Sequence, residues 1–102
     1  MSVVKVNKEN INEVLNSEKT VLIDFYADWC GPCRMMGPVI DALAEEYPEY
    51  LIGKINVTDE EELAIKYGVS SIPTLMVVKN GSVTQKVSGL RSKQEVIALL
   101  NA

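Results

Sequence analysis

Six successive residues, Val21-Leu22-Ile23-Asp24-Phe25-Tyr26, are apolar on both faces of an extended chain except at Asp24. A strand of that kind has no face to offer to water, so it belongs inside a sheet covered on both sides. Its neighbours follow the same logic. Val39, Ile40, Leu43, Ala44 and Tyr47 recur at helical spacing and mark the buried stripe of a long helix closed by Pro48. Pro38 falls inside that helix, where it removes one backbone bond and meets the carbonyl of Arg34, so a kink is expected. Upstream, Val3 to Val6 reads as a short strand, and Asn7 as the N-cap of a helix carrying Ile11, Val14 and Leu15.

Downstream, Leu51 to Val57 reads as a third strand. Thr58 with Glu61 has the form of a capping box, Glu60 to Glu62 suit the positive end of a third helix, and Gly68 suits its C′ position. This alternation implies parallel strands with helices over both faces. Thr74 to Lys79 and Val83 to Ser88 then flank Asn80-Gly81, the signal of a tight antiparallel hairpin. Ser92 with Glu95 opens a last helix through Val96, Ile97, Leu99 and Leu100. The expected architecture is α/β, a mixed five-stranded β-sheet flanked by four α-helices. With 102 residues it is expected to form a single domain over 1–102.

Charge and termini narrow the function classes. A net charge of −4 with no basic cluster argues against a nucleic-acid partner. The run Asp59-Glu60-Glu61-Glu62 reads as a solvated face or helix start. Met1-Ser2-Val3-Val4-Lys5 has neither the charged region nor the apolar stretch of a signal peptide, so none is expected. No apolar run approaches the ~18 residues of a membrane helix. The expectation is a soluble cytoplasmic protein without membrane contact.

Chemistry concentrates in Trp29-Cys30-Gly31-Pro32-Cys33, because the chain has two cysteines and no histidine. Spacing alone leaves a redox pair, a metal half-site or a structural bridge open. If a helix starts at Cys30, both thiols share its first turn with Cα atoms roughly 5–6 Å apart, within disulfide range. Unpaired N–H groups and the positive dipole end would stabilise a thiolate there. Pro32 sits where a missing N–H matters little. Zinc prefers four ligands, and a protein-only site here would need a second chain. In a reducing compartment disulfides are transient and catalytic. Asp24 is the second candidate: a carboxylate in an apolar strand is costly to bury charged, and burial raises its pKa. Two readings stay open: a satisfied structural carboxylate, paired for instance with Lys54, or a functional one.

Asp24-Phe25-Tyr26-Ala27-Asp28-Trp29-Cys30-Gly31-Pro32-Cys33, together with Pro38, Ile72-Pro73-Thr74 and Gly89, resembles the thioredoxin family over the length of the chain. The resemblance implies the thioredoxin fold and a general protein-disulfide reductase that acts as an electron carrier. Cys30, nearer the helix end and earlier in the loop, is expected to be the more exposed and acidic thiol; the resemblance implies that it attacks a substrate disulfide and that Cys33 resolves the mixed disulfide. It places Asp24 beneath Cys33 as proton acceptor and donor, with Lys54 modulating it. It reverses the ordinary rarity of cis bonds, ~5–6% of X–Pro bonds, in favour of a cis Pro73 whose loop faces the dithiol. Trp29, Gly31, Pro32, Ile72, Pro73 and Gly89 would form a flat apolar docking patch for clients. Tyr26 stands where many members carry tryptophan, and Asn56 and Thr58 where acidic residues are frequent. No nucleotide-binding glycine motif is present. No bound cofactor is therefore expected, and reducing equivalents would come from a separate thioredoxin reductase. Clients by resemblance include ribonucleotide reductase and peroxiredoxins, and a monomer is expected. Two other readings compete: a disulfide isomerase or oxidase of the same fold, which Gly31-Pro32 opposes, and a redox-independent binding module.

Overall fold

The apolar strand expected at the centre is there: β2 (Thr20–Tyr26) is buried along its whole interior. A computed structural model describes residues 3–102; Met1 and Ser2, on which the reading of a leader partly rested, lie outside the described residues. Around β2 stand β1 (Val4–Lys5), β3 (Tyr50–Asn56), β4 (Thr74–Lys79) and β5 (Ser82–Ser88), in the spatial order β1-β3-β2-β4-β5. β1 and β2 run parallel to β3, whereas β4 runs antiparallel to β2 and β5 antiparallel to β4. The helices are α1 (Ile11–Leu15), α2 (Gly31–Glu46), α3 (Glu61–Lys66) and α4 (Lys93–Asn101).

Strand parity decides which helix each side chain of β2 meets. Val21, Ile23 and Phe25 point into a core shared with Ile11 and Val14 of α1 and Leu63 of α3. Leu22, on the opposite face, packs with Met36, Ile40 and Leu43 of α2 and Leu100 of α4. Asp24 has the parity of Leu22, so it points toward the face covered by α2. The expected layering of helices on both faces of a mixed sheet is therefore found.

Several local expectations shift. Asn7 does not cap α1: its Oδ1 accepts the N–H groups of Glu9 and Asn10, forming a turn, and Asn10 occupies the N-cap without a side-chain cap bond. The Thr58–Glu61 capping box does not form either. Asn56 Oδ1 takes the Thr58 N–H at 2.9 Å, which holds Thr58 in the turn before α3, and Glu60 becomes the N-cap. In α2 the buried stripe includes Met36, while Val39 and Tyr47 are half-buried at its edge. α2 continues unbroken through Pro38. The box at Ser92 and Glu95 forms with both hydrogen bonds, and Gly68 follows α3 as read.

Asn80 (φ 52°) and Gly81 (φ 79°) both adopt left-handed backbone, the requirement of a two-residue type I′ hairpin loop. A side chain at position 81 would carry the Cβ–carbonyl clash of that region. Gly81→Ala is therefore expected to lower stability by roughly 1–2 kcal/mol in urea unfolding, with the site chemistry unchanged. Among the described residues no helix is long and apolar enough to cross a membrane.

Candidate active site

α2 begins at the residue after Cys30, which takes the extended N-cap conformation (φ −90°, ψ 114°). Its Sγ accepts the Cys33 N–H at 3.2 Å, and its carbonyl accepts the Arg34 N–H. Cys30 and Cys33 are joined in a disulfide with Cα atoms 5.2 Å apart, as helix-start geometry predicts. The sulfur of Cys30 thus takes the place of a capping oxygen. It receives one of the donors that a helix N-terminus leaves unpaired, in the positive field of that end. In the dithiol form the same donor stabilises a thiolate.

The expectation that Cys30 is clearly the more exposed cysteine is corrected: the two residues are 6% and 5% exposed. Both are tied by the closed disulfide into a small apolar cluster with Ala27, Val57 and Ile72. What separates them is direction. Cys30 Sγ lies 3.9 Å from the Ile72 carbonyl oxygen, beside the exposed Trp29, Gly31 and Pro32. Cys33 faces an inner cleft with Asp24.

The Ile72–Pro73 peptide is cis, as the resemblance implies. Gly89, at φ 96°, donates its N–H to the Pro73 carbonyl at 2.8 Å, which ties the two loops together behind the dithiol. Of the patch residues, Trp29 is 70% exposed. Gly31 and Pro32 are also exposed, and Ile72 and Gly89 are half-buried. Pro73 is buried, a correction to its place in the patch: it stands behind Ile72, at the point where β4 enters the sheet. A groove of about 420 Å³ beside Trp29 and Ile72 adds Val57, Ala64, Ile65 and Val69. Ile65, 78% exposed, was not among the residues singled out. Its signal in the sequence is an isoleucine on the otherwise charged face of a short helix.

Asp24 is 4% exposed, and its Oδ1 has no hydrogen-bond partner. Burial pushes its pKa from 3.8 up to about 7, while the Lys54 ammonium pulls the other way. The direct pairing of Asp24 with Lys54 considered above does not form. Among the described residues the ion pair present is Lys93–Glu46. Asp24 and Lys54 are register partners on parallel strands. The lysine turns aside instead, its Nζ 5.6 Å from the centre of the Tyr26 ring. Asp24, Cys33, Lys54, Tyr26, Gly37 and Asp41 together line a cleft of about 240 Å³. Tyr26, Gly37 and Asp41 entered this site only through the packing of α2 on β2 and β3. Among the described residues no group of three or more His, Cys, Asp or Glu side chains is placed to hold a metal ion.

The thioredoxin family model matches residues 2–102. The chain belongs to the thioredoxin family. It is 47% identical to a thioredoxin of Chlamydia caviae over 94% of this chain and 93% of that protein. It is 46% identical to a thioredoxin of Porphyra purpurea over 99% of this chain and 96% of that one. Among solved structures, a mutant thioredoxin of Halobacterium salinarum superposes with a TM-score of 0.92 at 36% identity, covering 98% of this chain and 88% of that chain. A chain from a structure of thiol resolution in yeast mitochondrial 1-Cys peroxiredoxin via glutathione/thioredoxin systems superposes at 0.89, with 28% identity, covering 98% and 94%. Membership of the thioredoxin family, with a close cysteine pair at the head of α2, makes this a disulfide oxidoreductase working by dithiol–disulfide exchange. The family's partners are, in general terms, a reductase and disulfide-bearing clients.

Proposed function

We propose that the chain is a general protein-disulfide reductase and electron carrier of the cytoplasm, acting as a single-domain monomer. The observation that carries this reading is the Cys33 N–H aimed at Cys30 Sγ at the start of α2. The Cys30 thiolate attacks one sulfur of a client disulfide; a Cys30–client bond forms, and the other client sulfur leaves as a thiolate. Cys33 gives its proton to the Asp24 carboxylate and attacks Cys30 Sγ. The Cys30–Cys33 bond closes, and the second client thiol is released with two electrons transferred. Holding the two sulfurs in one helical turn makes this second step intramolecular and fast. Lys54, which draws the Asp24 pKa down, modulates that proton transfer. Trp29, Gly31, Pro32, Ile72, Pro73 and Gly89 form or support the surface on which clients dock. The Ile72 backbone pairs with an extended client segment.

Reducing equivalents arrive from a separate thioredoxin reductase. Ribonucleotide reductase and peroxiredoxins are the proposed client classes; for the latter, the yeast neighbour comes from a peroxiredoxin system. Both cysteines are committed to one exchangeable pair, which suits a reducing compartment.

The test is the redox potential measured against glutathione. Thioredoxin itself stands at about −270 mV and protein disulfide isomerase at about −180 mV, values of those proteins rather than readings from this geometry. The present couple is expected near the first. Pro32 carries no N–H and no charge, so Pro32→His would add a donor and a partly cationic ring beside Cys30. That favours the charged, reduced form, and the couple should become more oxidising by about 30 mV for every 1.4 kcal/mol gained. A wild-type potential already in the isomerase range would overturn the reductase reading.

A further inference from the structure

Gly37 sits in the interior of a 16-residue helix, where glycine is less favourable than alanine because it has more backbone freedom to lose. Packing against other elements does not demand it: apart from its chain neighbours and the helix's own backbone, a Cβ built at position 37 meets no atom within 4 Å. Its place on α2 gives it another role. Positions 33, 37 and 41 are spaced four apart, and Cys33, Gly37 and Asp41 all line the cleft into which Asp24 opens. Helical side chains lean toward the N-terminus, so a long side chain at 37 would lie over the approach to Cys33 and Asp24. The missing side chain leaves an opening of about 240 Å³ lined by both polar and apolar surface, room for several water molecules.

We propose that Gly37 is a positioning residue that keeps the cleft open, so that the Asp24 carboxyl can exchange its proton with solvent. This rests on the reading of Asp24 as the proton acceptor for Cys33. One proton passes from Cys33 to Asp24 as the disulfide closes; when re-reduction does not hand it back to Cys33, the buried carboxyl has to lose it to cleft water before it can accept again. Asp24 lines this cleft and keeps 4% of its surface exposed, while its Oδ1 is shut off from solvent and has no hydrogen-bond partner. The charged and titratable groups around Asp24 are Lys54 from β3, Tyr26 from β2, Cys33, Arg34 and Asp41 from α2, and Asp28 from the connecting loop.

Pro38 offers a competing reason for the glycine, because a Cβ before proline in a helix meets the proline ring. Gly37→Ala carries that same Cβ without filling the cleft, so comparison with Gly37→Leu separates the two. The rate of mixed-disulfide resolution is measured against pH for both, alone and combined with Asp24→Asn. Gly37→Ala is expected to slow resolution far less than Gly37→Leu. Gly37→Leu is expected to slow resolution about tenfold at pH 7, a fraction of the 10²–10⁴ that positioned proton transfer contributes. It should also move the midpoint of the pH profile upward by about one pH unit, since added burial favours the neutral carboxyl. In the Asp24→Asn background Gly37→Leu should cause no further slowing. Equal slowing in both backgrounds, or equal slowing by Ala and Leu, would overturn the gate and leave the role of Asp24 intact. If Asp24→Asn alone leaves the rate unchanged, the proton-acceptor reading fails and the gate with it.

Discussion

A Cys33→Ser protein mixed with a disulfide-bearing client is expected to accumulate a stable covalent adduct through Cys30, while Cys30→Ser traps nothing and reduces nothing above background. The asymmetry follows from where each sulfur is aimed. Cys30 Sγ lies beside the Ile72 carbonyl and the exposed Trp29, and receives the N–H of Cys33. Cys33 lines the cleft that it shares with Asp24. Near-equal burial of the two cysteines in the closed disulfide does not remove this difference. The attacking sulfur needs a stabilised thiolate and a docking surface, and the resolving one needs a nearby proton acceptor. Non-reducing electrophoresis and mass spectrometry of the adducts check the result. Equal trapping by the two variants would refute the assignment.

Asp24→Asn should stabilise the oxidised protein in a strongly pH-dependent way. The Asp24 carboxyl titrates at about 7 in the folded chain against an ordinary 3.8. Between those values the unfolded chain has released this proton while the folded chain holds it. Fewer protons are then bound in the unfolded state, and the stability of the wild type falls as pH rises through that window. At 1.36 kcal/mol per unit, the full penalty amounts to roughly 4 kcal/mol as an upper figure, reached above pH 7. Asparagine has the shape of the neutral acid and never ionises. The variant and wild type should therefore be nearly equal in stability at pH 4 and diverge in favour of the variant toward pH 8. Urea unfolding at a series of pH values measures this directly. The same substitution should slow resolution of the mixed disulfide near neutral pH. A wild type whose stability rises from pH 4 to 8 relative to Asp24→Asn would contradict the burial argument.

Much of this was legible in the chain itself, wherever the physics is local. The apolar run at Val21–Tyr26 required a covered central strand, and β2 is that strand. Asn80-Gly81 called for a two-residue turn, and both residues adopt positive φ. The spacing of Cys30 and Cys33 at a helix start set a Cα separation that the disulfide occupies. Capping was less legible. A side-chain oxygen near a helix start has several N–H groups within reach: Asn7 was claimed by a turn, and Thr58 was held in a turn by Asn56 instead of capping α3.

Tertiary structure alone decided what surrounds the reacting atoms. That Asp24 and Cys33 share a cleft depends on strand parity, on the β2–β3 register and on how α2 crosses the sheet, none of which is written in any one segment. Lys54 could have met Asp24 in an ion pair; instead its ammonium lies toward the Tyr26 ring, and the carboxyl is left with burial as its dominant influence. Ile65 and Gly37 stand out little in the sequence, and they gain meaning only once α3 stands beside Trp29 and α2 lies over Asp24. Residue types and short spacings settle hydrogen bonds and dihedral preferences within a few positions. Burial, and with it the charge state of Asp24, is a property of everything packed around the group.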